Sequence, residues 1–411
     1  MKIVMVSNYI NHHQVPFSDA MYKRLGEDYT FIQTMPMEDE RANMGWGVDE
    51  TSVPYLLCAY DEPDKARELI LNCDMLLAGW TPDRTLIEER QKSGKLTLCI
   101  SERIYREGQW KCISPKGLIA KYKEHIRFRK LPSYLLCNGA YVASDFSIIH
   151  AYPNKKYRFG YFPATREYDD VRTLMEKKTN LEYIEVEFAE LLPEELPNIT
   201  DKCVDIVWAG RFLELKHPEF AVYLASDLCN LGYRFHIHMI GDGELREKME
   251  SLAKYEMIED YITFYGNRKP EEVRDIMEKC HIHIFTSNFI EGWGAVVNEG
   301  MNAGCAEVVN DEVGCAKFLI EDGENGLLYH DGSYEDFREK VVTLLNDKEL
   351  MHSLGVSAYR TITEEWNAET AADRVIDFYE GYLRGELDVP SSGPMSVADK
   401  INPGFFKTGK L

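Results

Sequence analysis

The chain has 411 residues, of which 45% are hydrophobic and 28% are charged. It is long enough for two or three packed domains, and its composition excludes a disordered, collagenous or coiled-coil protein. The 69 acidic and 47 basic residues give a formal net charge of −22, which argues against general binding to nucleic acid. The ten cysteines form no C-x-x-C pair and have no metal-ligand spacing, so we interpret them as reduced thiols. Since the sequence shows neither a membrane-spanning apolar run nor a signal-peptide core, we expect a cytoplasmic protein.

Short apolar runs, separated by segments long enough for helices, recur along the first part of the chain. The run at 3–6 is followed by a polar loop and by an amphipathic stretch at 15–25, which predicts a strand, a loop and a helix. Further strands are expected at 75–78, 96–100, 134–137 and 141–143. This alternation favours a parallel, doubly wound sheet.

A glutamate-rich stretch at 164–203 interrupts this pattern, and we interpret it as a linker or insertion. A second series of apolar runs follows at 204–208, 234–240, 262–264, 281–285, 306–309 and 326–329. We therefore predict an α/β chain with two Rossmann-like domains at 1–163 and 204–365, a long helix at 366–387, and a loosely packed tail at 388–411. Open parallel sheets bind ligands at the carboxyl ends of their strands, so the two domains are expected to face a central cleft.

The first candidate site follows the predicted strand at 204–208. Gly210 and Arg211 come directly after it, and Lys216 follows five residues later. Arginine offers a planar fork to two oxygens and lysine a compact charge, so the pair could neutralise charge on a leaving phosphate. Two solvated loop cations are the alternative for this segment taken alone.

A second glycine turn, formed by Gly241, Asp242 and Gly243, lies between an expected strand and an expected helix. Free backbone N–H groups in such a turn could meet a nucleotide. Arg246 stands where the dinucleotide-binding fingerprint has its third glycine, which argues against a domain that binds NAD. An ordinary strand-to-helix turn is the alternative.

The most informative segment spans 287–304. Gly292 and Gly294 permit a close approach of the backbone to a ligand, and a helix beginning near them would offer N–H groups and a positive dipole end to a phosphate. Glu291 precedes this turn and could reach sugar hydroxyls. Glu299 lies eight residues on, about 12 Å along a helix axis, where its carboxylate could accept hydrogen bonds from a ribose diol.

Glu291 and Glu299 form the E-x7-E pattern of the large retaining glycosyltransferase family known as family 4, or glycosyl transferases group 1. Three other segments resemble motifs of that family in the same order, and the resemblance covers nearly all of the second domain. Gly210-Arg211 with Lys216 is similar to its diphosphate pair, 241–244 to its second loop and 264–266 to its base-side loop. The resemblance implies the GT-B fold, in which the C-terminal helix crosses back to the first domain. It also implies retaining transfer of a sugar from a nucleoside-diphosphate sugar to a hydroxyl acceptor.

The resemblance assigns a role to each site residue. Arg211 and Lys216 would offset charge on the leaving diphosphate, while Glu291 would contact the donor sugar and Glu299 the ribose. The other donor-binding positions it implies are Gly210, Gly241, Asp242, Gly243, Gly266, Asn267, Arg268, Gly292, Trp293, Gly294, Ala295 and Val296. Enzymes of this family usually need no metal for the chemistry. We therefore expect no metal site and no cofactor besides the nucleotide-sugar donor, with a UDP-sugar favoured over a GDP-sugar.

The first domain departs from the common family pattern, since its first loop at 8–14 has no glycine pair. Asn8, His12 and His13 in this loop are candidates for contact with the acceptor or the diphosphate. Glu102, after the strand at 96–100, is a further candidate for the acceptor. A structural histidine pair, and a helix-cap or salt-bridge role for Glu102, are the alternatives.

Residues 111–130 hold seven basic residues and one acidic residue, with Trp110, Tyr122 and Phe128 beside or among them. This pattern predicts peripheral contact with anionic lipid at the inner face of the membrane, close to a lipid-linked acceptor or a growing cell-surface glycan. A solvated basic helix face is the alternative. Two other functions stay open: a noncatalytic GT-B accessory subunit, and a nucleotide-sugar epimerase or inverting transferase of the same fold.

Overall fold

All apolar runs of both series except 141–143 form strands of parallel sheets in the structure, a computed structural model that describes residues 1–37, 47–178 and 203–401. The chain divides into two compact units. Unit 1 combines Met1–Ala164 with the residues from Glu365 onward, and unit 2 is Thr165–Glu364. The predicted α/β fold with two Rossmann-like domains is confirmed.

In the described part of unit 1, seven parallel strands pair in the order β3-β2-β1-β4-β5-β6-β7. These strands are β1 (Ile3–Ser7), β2 (Tyr29–Gln33), β3 (Leu56–Cys58), β4 (Met75–Ala78), β5 (Thr97–Ser101), β6 (Ser133–Asn138) and β7 (Lys156–Phe159). The helices between them are α1 (Val15–Leu25), α2 (Pro63–Asn72), α3 (Thr85–Lys92), α4 (Pro115–Glu124) and α5 (Val142–Ile148). Strands β1 and β4 are buried along their whole length, as expected for central strands covered on both faces.

The strand predicted at 141–143 is wrong, because this stretch opens helix α5. Val142, Ala143 and Phe146 are fully buried, and a short apolar run buried on all sides has the same sequence pattern in a strand and in a helix. Gly139, with a φ of +132°, reverses the chain between β6 and this helix. Strands β2, β3 and β7 were not predicted.

The C-terminal helix α14 (Ala368–Arg384) belongs to unit 1, where it packs on α1. Its Phe378 ring lies 5.1 Å from the ring of Tyr134 and 5.3 Å from that of Tyr157, centroid to centroid. The expectation of a loosely packed tail is wrong for residues 393–398, which are mostly buried, whereas 388–392 and 399–401 are exposed or half-buried. Met395 is buried, and Val397 forms an antiparallel bridge with Tyr157 on the edge strand β7. Residues 402–411 of the predicted tail lie outside the described part of the chain.

Unit 2 repeats the same topology with six described parallel strands in the order β10-β9-β8-β11-β12-β13. These strands are β8 (Val204–Ala209), β9 (Phe235–Ile240), β10 (Ile262–Gly266), β11 (Ile282–Phe285), β12 (Ala306–Asn310) and β13 (Leu327–Tyr329). The helices of unit 2 are α6 (Val171–Lys177), α7 (Glu219–Asn230), α8 (Arg246–Tyr255), α9 (Pro270–Met277), α10 (Ala295–Asn302), α11 (Ala316–Leu319), α12 (Tyr334–Asn346) and α13 (Lys348–Arg360). All six strands were predicted to within two residues at each end.

The stretch predicted as a linker at 164–203 belongs to unit 2 as far as it is described, except for Ala164, which ends the first segment of unit 1. Arg166 pairs with Glu271, Asp275 and Glu278 at 2.7–3.1 Å. Lys178 is buried, and its ammonium donates to the carbonyl of Ala303 at 2.9 Å. Residues 165–178 are thus anchored to the unit by charged side chains, which composition alone did not reveal. The rest of the predicted linker, 179–202, lies outside the described residues.

Candidate active site

The predicted donor-site residues of unit 2 lie at the carboxyl ends of β8, β9, β10 and β11. Gly210, directly after β8, donates its backbone N–H to the carbonyl of Ile240 at the end of β9 (3.0 Å). Gly241 donates in turn to the carbonyl of Gly266 at the end of β10 (2.9 Å). Backbone hydrogen bonds therefore hold three loops together at one edge of the sheet.

This close approach of the loops explains why Gly241 and Gly243 are glycines. Gly241 has a φ of +129°, and a Cβ there would lie 1.9 Å from the carbonyl oxygen of Gly210. At Gly243, with a φ of +154°, a Cβ would lie 2.7 Å from the carbonyl oxygen of Phe212. Asp242 accepts from the N–H of Gly243 (2.8 Å), so its carboxylate stabilises the turn. These contacts agree with the alternative of a structural turn and leave a ligand role as a prediction.

Lys216 and Glu291, predicted on separate motifs, are in direct contact. The Lys216 ammonium lies 2.5 Å from Oε2 of Glu291, and their side chains are only 15% and 17% exposed. The ammonium also lies 5.0 Å from the ring centroid of Phe285, at the end of β11. Backbone hydrogen bonding reinforces this contact, since the N–H of Asn288 donates to the carbonyl of Leu215 (2.9 Å). The structure thus brings the loop after β8 and the loop after β11 together.

Three other predicted donor-site residues are exposed on these loops. Arg211 makes no ion pair with any residue in the described ranges. Asn267 and Arg268 follow Gly266 at the end of β10, and the Arg268 guanidinium lies 5.9 Å from the ring centroid of Tyr265. All three side chains are therefore accessible to a ligand.

Helix α10 begins at Ala295, one residue after Gly294, whose left-handed backbone (φ +87°) forms the N-cap. A Cβ at Gly294 would lie 2.8 Å from the Phe285 ring, so only glycine fits this start. The N–H groups of Ala295 and Val296 have no hydrogen-bond partner among the described residues, as is usual for a first helical turn. Glu291 lies in the preceding loop, so the expectation that Glu291 and Glu299 lie two turns apart on one helix is wrong.

Trp293 has a structural side chain. Its indole is 2% exposed, and Nε1 donates to Oδ1 of Asn298 at 2.8 Å. The carbonyl of Trp293 accepts from the N–H of Cys315 (3.0 Å). A Cβ at Gly314 would lie 1.7 Å from the carbonyl oxygen of Gly292, so the loop after β12 packs tightly on this glycine turn.

Glu299 is partly buried on α10, one helical turn after Ala295. Desolvation raises the pKa of its carboxyl group to about 7, although the positive charge of Arg274 and the nearby His283 act in the opposite direction. No hydrogen bond from a described residue reaches this carboxylate. Glu299 is therefore a carboxyl group with free acceptor capacity that titrates near neutral pH.

A buried hydrogen-bonded pair of side chains packs against the same helix. His283 on β11 and Glu307 on β12 are fully buried, and Nδ1 of His283 is 2.7 Å from Oε2 of Glu307. Burial raises the pKa of Glu307. Gly300 makes room for this pair, since a Cβ there would lie 2.3 Å from Glu307 Oε1. Helix α10 thus packs on this buried polar pair, which excludes any side chain larger than that of glycine at position 300.

No role was assigned from the sequence to the three polar residues that follow β11, Thr286, Ser287 and Asn288. Thr286 links two site elements, since its hydroxyl donates to the Lys216 carbonyl (2.6 Å) and accepts from the Trp208 indole (2.8 Å). The buried Ser287 hydroxyl has no partner among the described residues. Asn288 donates its amide to Nε2 of His217 (3.2 Å). Three polar residues directly after a buried strand were the available signal.

The acceptor-side candidates of unit 1 lie after β1 and β5. The rings of His12 and His13 are 3.8 Å apart, His13 lies 5.8 Å from the ring of Tyr161, and the Tyr161 hydroxyl donates to Glu102 (3.3 Å). Burial, and secondarily the neighbouring His12, lower the pKa of His13 to about 3, so this ring is neutral at pH 7. Tyr161 therefore connects Glu102 with the histidine pair.

Asn8 and Glu102 also make contacts that are structural. Asn8 accepts a hydrogen bond from Ser7 (3.0 Å), and its carbonyl accepts from the N–H groups of Thr34 and Met35. Glu102 also pairs with Arg106 at 3.6 Å, as the salt-bridge alternative anticipated.

Within residues 1–37, 47–178 and 203–401, no group of three His, Cys, Asp or Glu side chains is arranged to hold a metal ion. All ten cysteines are unpaired thiols. In the same part of the chain, no helix has the length and apolar character needed to cross a membrane.

Part of the chain is similar in sequence to known glycosyltransferases. Residues 195–361 match the family Glycosyl transferases group 1. The chain is 31% identical over 150 residues to the uncharacterized glycosyltransferase MJ1178 of Methanocaldococcus jannaschii. The matched region covers 36% of this chain and 40% of that protein. It is 26% identical over 148 residues to the N-acetyl-alpha-D-glucosaminyl L-malate synthase of Bacillus anthracis, covering 36% of this chain and 38% of that one. The chain thus spans about 40% of the length of these curated relatives.

The fold is similar to that of a solved protein along nearly the whole chain. HepE of Anabaena, solved in complex with UDP, superposes with a TM-score of 0.65 at 12% identity, covering 93% of this chain and 100% of that one. The chain therefore has the GT-B fold, and its residues 195–361 match the family glycosyl transferases group 1.

Proposed function

We propose that this protein is a glycosyltransferase that moves a sugar from a nucleoside-diphosphate sugar to a hydroxyl group of an acceptor. The observation that carries the proposal is the contact between Lys216 and Glu291 at the end of β11, close in sequence to the helix start at Gly294. A cation, a carboxylate and unpaired N–H groups are the chemistry that a phosphorylated sugar needs. The family match spans all of these residues.

In this proposal the diphosphate binds at the start of α10. The N–H groups of Ala295 and Val296, with the positive end of the helix dipole, bind the phosphate oxygens. Lys216 and the exposed Arg211 stabilise the negative charge that develops when the diphosphate leaves. Gly210, Gly241 and Gly243 keep the adjoining loops close, and no side chain at these positions obstructs the ligand.

The two glutamates bind the hydroxyl groups of the donor. Glu299 accepts hydrogen bonds from the ribose diol, and Glu291 contacts the transferred sugar while it orients Lys216. The nucleobase lies near Gly266, Asn267 and Arg268. We favour a UDP-sugar as donor, and the UDP bound to HepE, a protein of the same fold, supports this choice.

We propose that transfer retains the anomeric configuration, as the E-x7-E pattern implies. The bond between the anomeric carbon and the diphosphate oxygen breaks, and the acceptor oxygen forms its bond to that carbon on the same face. The acceptor proton passes to the departing diphosphate oxygen, so no metal is required for the step. The candidates for contact with the acceptor hydroxyl are Asn8, His12, His13 and Glu102. We expect the acceptor to be lipid-linked or a growing cell-surface glycan, and the ten unpaired cysteines support a cytoplasmic location.

The first experiment is thermal unfolding of the purified chain with UDP, GDP, ADP or NAD. A ligand at 100 times its Kd stabilises the folded state by about 2.7 kcal/mol, and we expect this shift with UDP. UDP-sugars are then incubated with glycan acceptors in EDTA, and the product anomer is read by NMR. An inverted anomer would refute retention, and an epimerised nucleotide sugar without transfer would indicate an epimerase. Absence of any nucleotide binding would favour a noncatalytic subunit.

A further inference from the structure

Helix α4 (Pro115–Glu124) of unit 1 exposes an apolar surface. None of its ten residues is buried. Leu118, Ile119 and Tyr122 are 38%, 59% and 56% exposed, and Trp110 and Ile113, just before the helix, are 43% and 75% exposed. Large apolar side chains exposed singly are common on protein surfaces, whereas a cluster of five within 13 residues is typical of a binding surface.

The apolar residues of α4 share one side of the helix. Pro115, Leu118, Ile119 and Tyr122 follow one another at the spacings of three, four and seven that place side chains on one face. At 100° per residue they occupy an arc of about 100°. Lys121 flanks this arc on one side, and Lys116 and Lys123 flank it on the other. The opposite side of the helix contains Gly117, Ala120 and Glu124.

The charge around this face is opposite in sign to that of the chain. Residues 111–130 have seven cations and one acid in a protein of net charge −22. Three of these cations pair with acids: Lys111 with Glu107, Lys121 with Glu124 and Arg127 with Glu88. The other four are exposed and make no ion pair with a described residue; they are Lys116, Lys123, Arg129 and Lys130.

We propose that this surface, formed by Trp110, Ile113 and helix α4, binds an anionic lipid bilayer. The apolar face enters the boundary between headgroups and acyl chains, and the flanking lysines meet the lipid phosphates with their stems along the apolar surface. A face with apolar residues in the centre and cations along both edges fits an anionic membrane, in which apolar acyl chains lie below negatively charged headgroups. The proposal is independent of the transfer reaction, because binding is measured without a donor or acceptor.

The test is cosedimentation of the full chain with vesicles of phosphatidylcholine alone or with about one third phosphatidylglycerol. We expect binding to the anionic vesicles only, weakened by salt. The double variant Lys116→Gln/Lys123→Gln should bind about 30-fold more weakly, at about fivefold per cation. The variant Ile113→Ser/Ile119→Ser should lose binding as well.

A matched control separates this surface from general exposure of apolar groups. Tyr255 and Met257 of unit 2 are 82% and 83% exposed, and Tyr255→Ser/Met257→Ser should bind as the parent does. Brominated lipid should quench part of the tryptophan fluorescence of the parent, and Trp110→Phe should remove that part. Thermal unfolding of every variant without ligand checks that each one folds, and the additional stabilisation by UDP reports separately on the proposed function.

Several outcomes would overturn the proposal. Equal binding to neutral and anionic vesicles would remove the role of the cations, and absence of binding to both would remove the membrane. An equal loss in the Tyr255→Ser/Met257→Ser control would mean that apolar exposure anywhere suffices. Concentration-dependent association of the parent chain in sedimentation velocity, abolished by Ile113→Ser/Ile119→Ser, would identify the surface as a contact between copies.

Discussion

Lys216 and Glu291 lie on different loops, 75 residues apart in sequence, and their side chains meet at 2.5 Å. The pair balances charge in a partly buried site, so each residue holds the other in position while no diphosphate is bound. Removing either one exposes the other to the same surroundings without its partner.

For Lys216→Gln we expect kcat to fall by about 10²–10³-fold, because the leaving diphosphate loses a positioned cation. The unfolding free energy should fall by no more than about 2 kcal/mol, since one partner of a partly buried pair stays unpaired. Steady-state kinetics and chemical denaturation measure the two effects. Lys248→Gln, an exposed lysine on α8 without an ion pair among described residues, is the control and should change neither. An unchanged kcat in Lys216→Gln would exclude this residue from the reaction.

The pKa of Glu299 predicts how nucleotide binding depends on pH. Its ionised form accepts hydrogen bonds from the ribose, and its pKa is about 7. The ionised fraction therefore rises about tenfold between pH 6 and pH 8, and the apparent Kd for UDP should fall by a similar factor. Isothermal titration calorimetry of the parent and of Glu299→Gln measures this. The variant should bind more weakly and keep only the pH dependence of UDP itself; identical profiles would contradict the role of Glu299.

The same shift has the opposite effect on the ligand-free protein. The folded pKa of Glu299 lies above the unfolded value of about 4.3. Between these values the folded state binds more protons, so this group stabilises the fold at low pH and its contribution is lost as the pH rises to about 7. The unfolding free energy of Glu299→Gln minus that of the parent should therefore be larger at about pH 8 than at about pH 5. Denaturation curves at both values would show whether this difference exists.

Gly241 and Gly210 lie in loops joined by backbone hydrogen bonds, and they differ in how well they tolerate a side chain. Gly241→Ala should destabilise unit 2 by about 3 kcal/mol, because the backbone is left-handed and the new Cβ would overlap the Gly210 carbonyl. This corresponds to a drop in Tm of roughly 6–12 °C. At Gly210 a Cβ would be 3.6 Å from its nearest neighbour, Trp208, so Gly210→Ala should cost less than about 1 kcal/mol. Calorimetry distinguishes them, and equal Tm values would refute the explanation given for Gly241.

Arg24, on α1, connects this helix to α14 by forming ion pairs with Glu369 and Asp373 of α14. Its hydrogen bonds lower the pKa of both acids. Their contribution is therefore present above about pH 4 and is lost as the pH falls below it. The acids are more than half exposed, so Arg24→Gln should cost at most about 1 kcal/mol at pH 7 and nothing measurable at about pH 2. Lys23→Gln, which removes a more exposed partner of Glu369, is the control.

Much of unit 2 could be predicted because its strands are short apolar runs ended by glycine turns. The positions of Gly210, Gly241 and Gly294 follow from local sequence, and the structure gives each one a steric or backbone reason. The contact of Lys216 with Glu291 could not be predicted in this way, since it depends on which strands are neighbours. The buried side chain of Trp293, whose partner Asn298 lies inside the helix that follows, was also missed.

Composition was a weaker guide in the segments outside the repeating pattern. Prolines, glycines and serines at 388–401 predicted loose packing, whereas Met395 and Ser396 are buried against β7. The local sequence around these residues does not indicate burial. They pack here because the edge strand of the seven-stranded sheet offers backbone groups for pairing. Similarly, the glutamates of the predicted linker concealed Arg166, whose three acidic partners lie on or beside α9.

Unit 1 is interrupted in sequence, because the chain leaves it at Ala164 and returns at Glu365. A ribosome that adds about 5–20 residues per second therefore spends roughly 10–40 s on unit 2 before α14 is made. Throughout that interval the rings of Tyr134 and Tyr157 lack the Phe378 ring that packs on them. The apolar rings of unit 1 that α14 covers thus stay uncovered while unit 2 is synthesised, and unit 1 completes its packing only after unit 2 has been made.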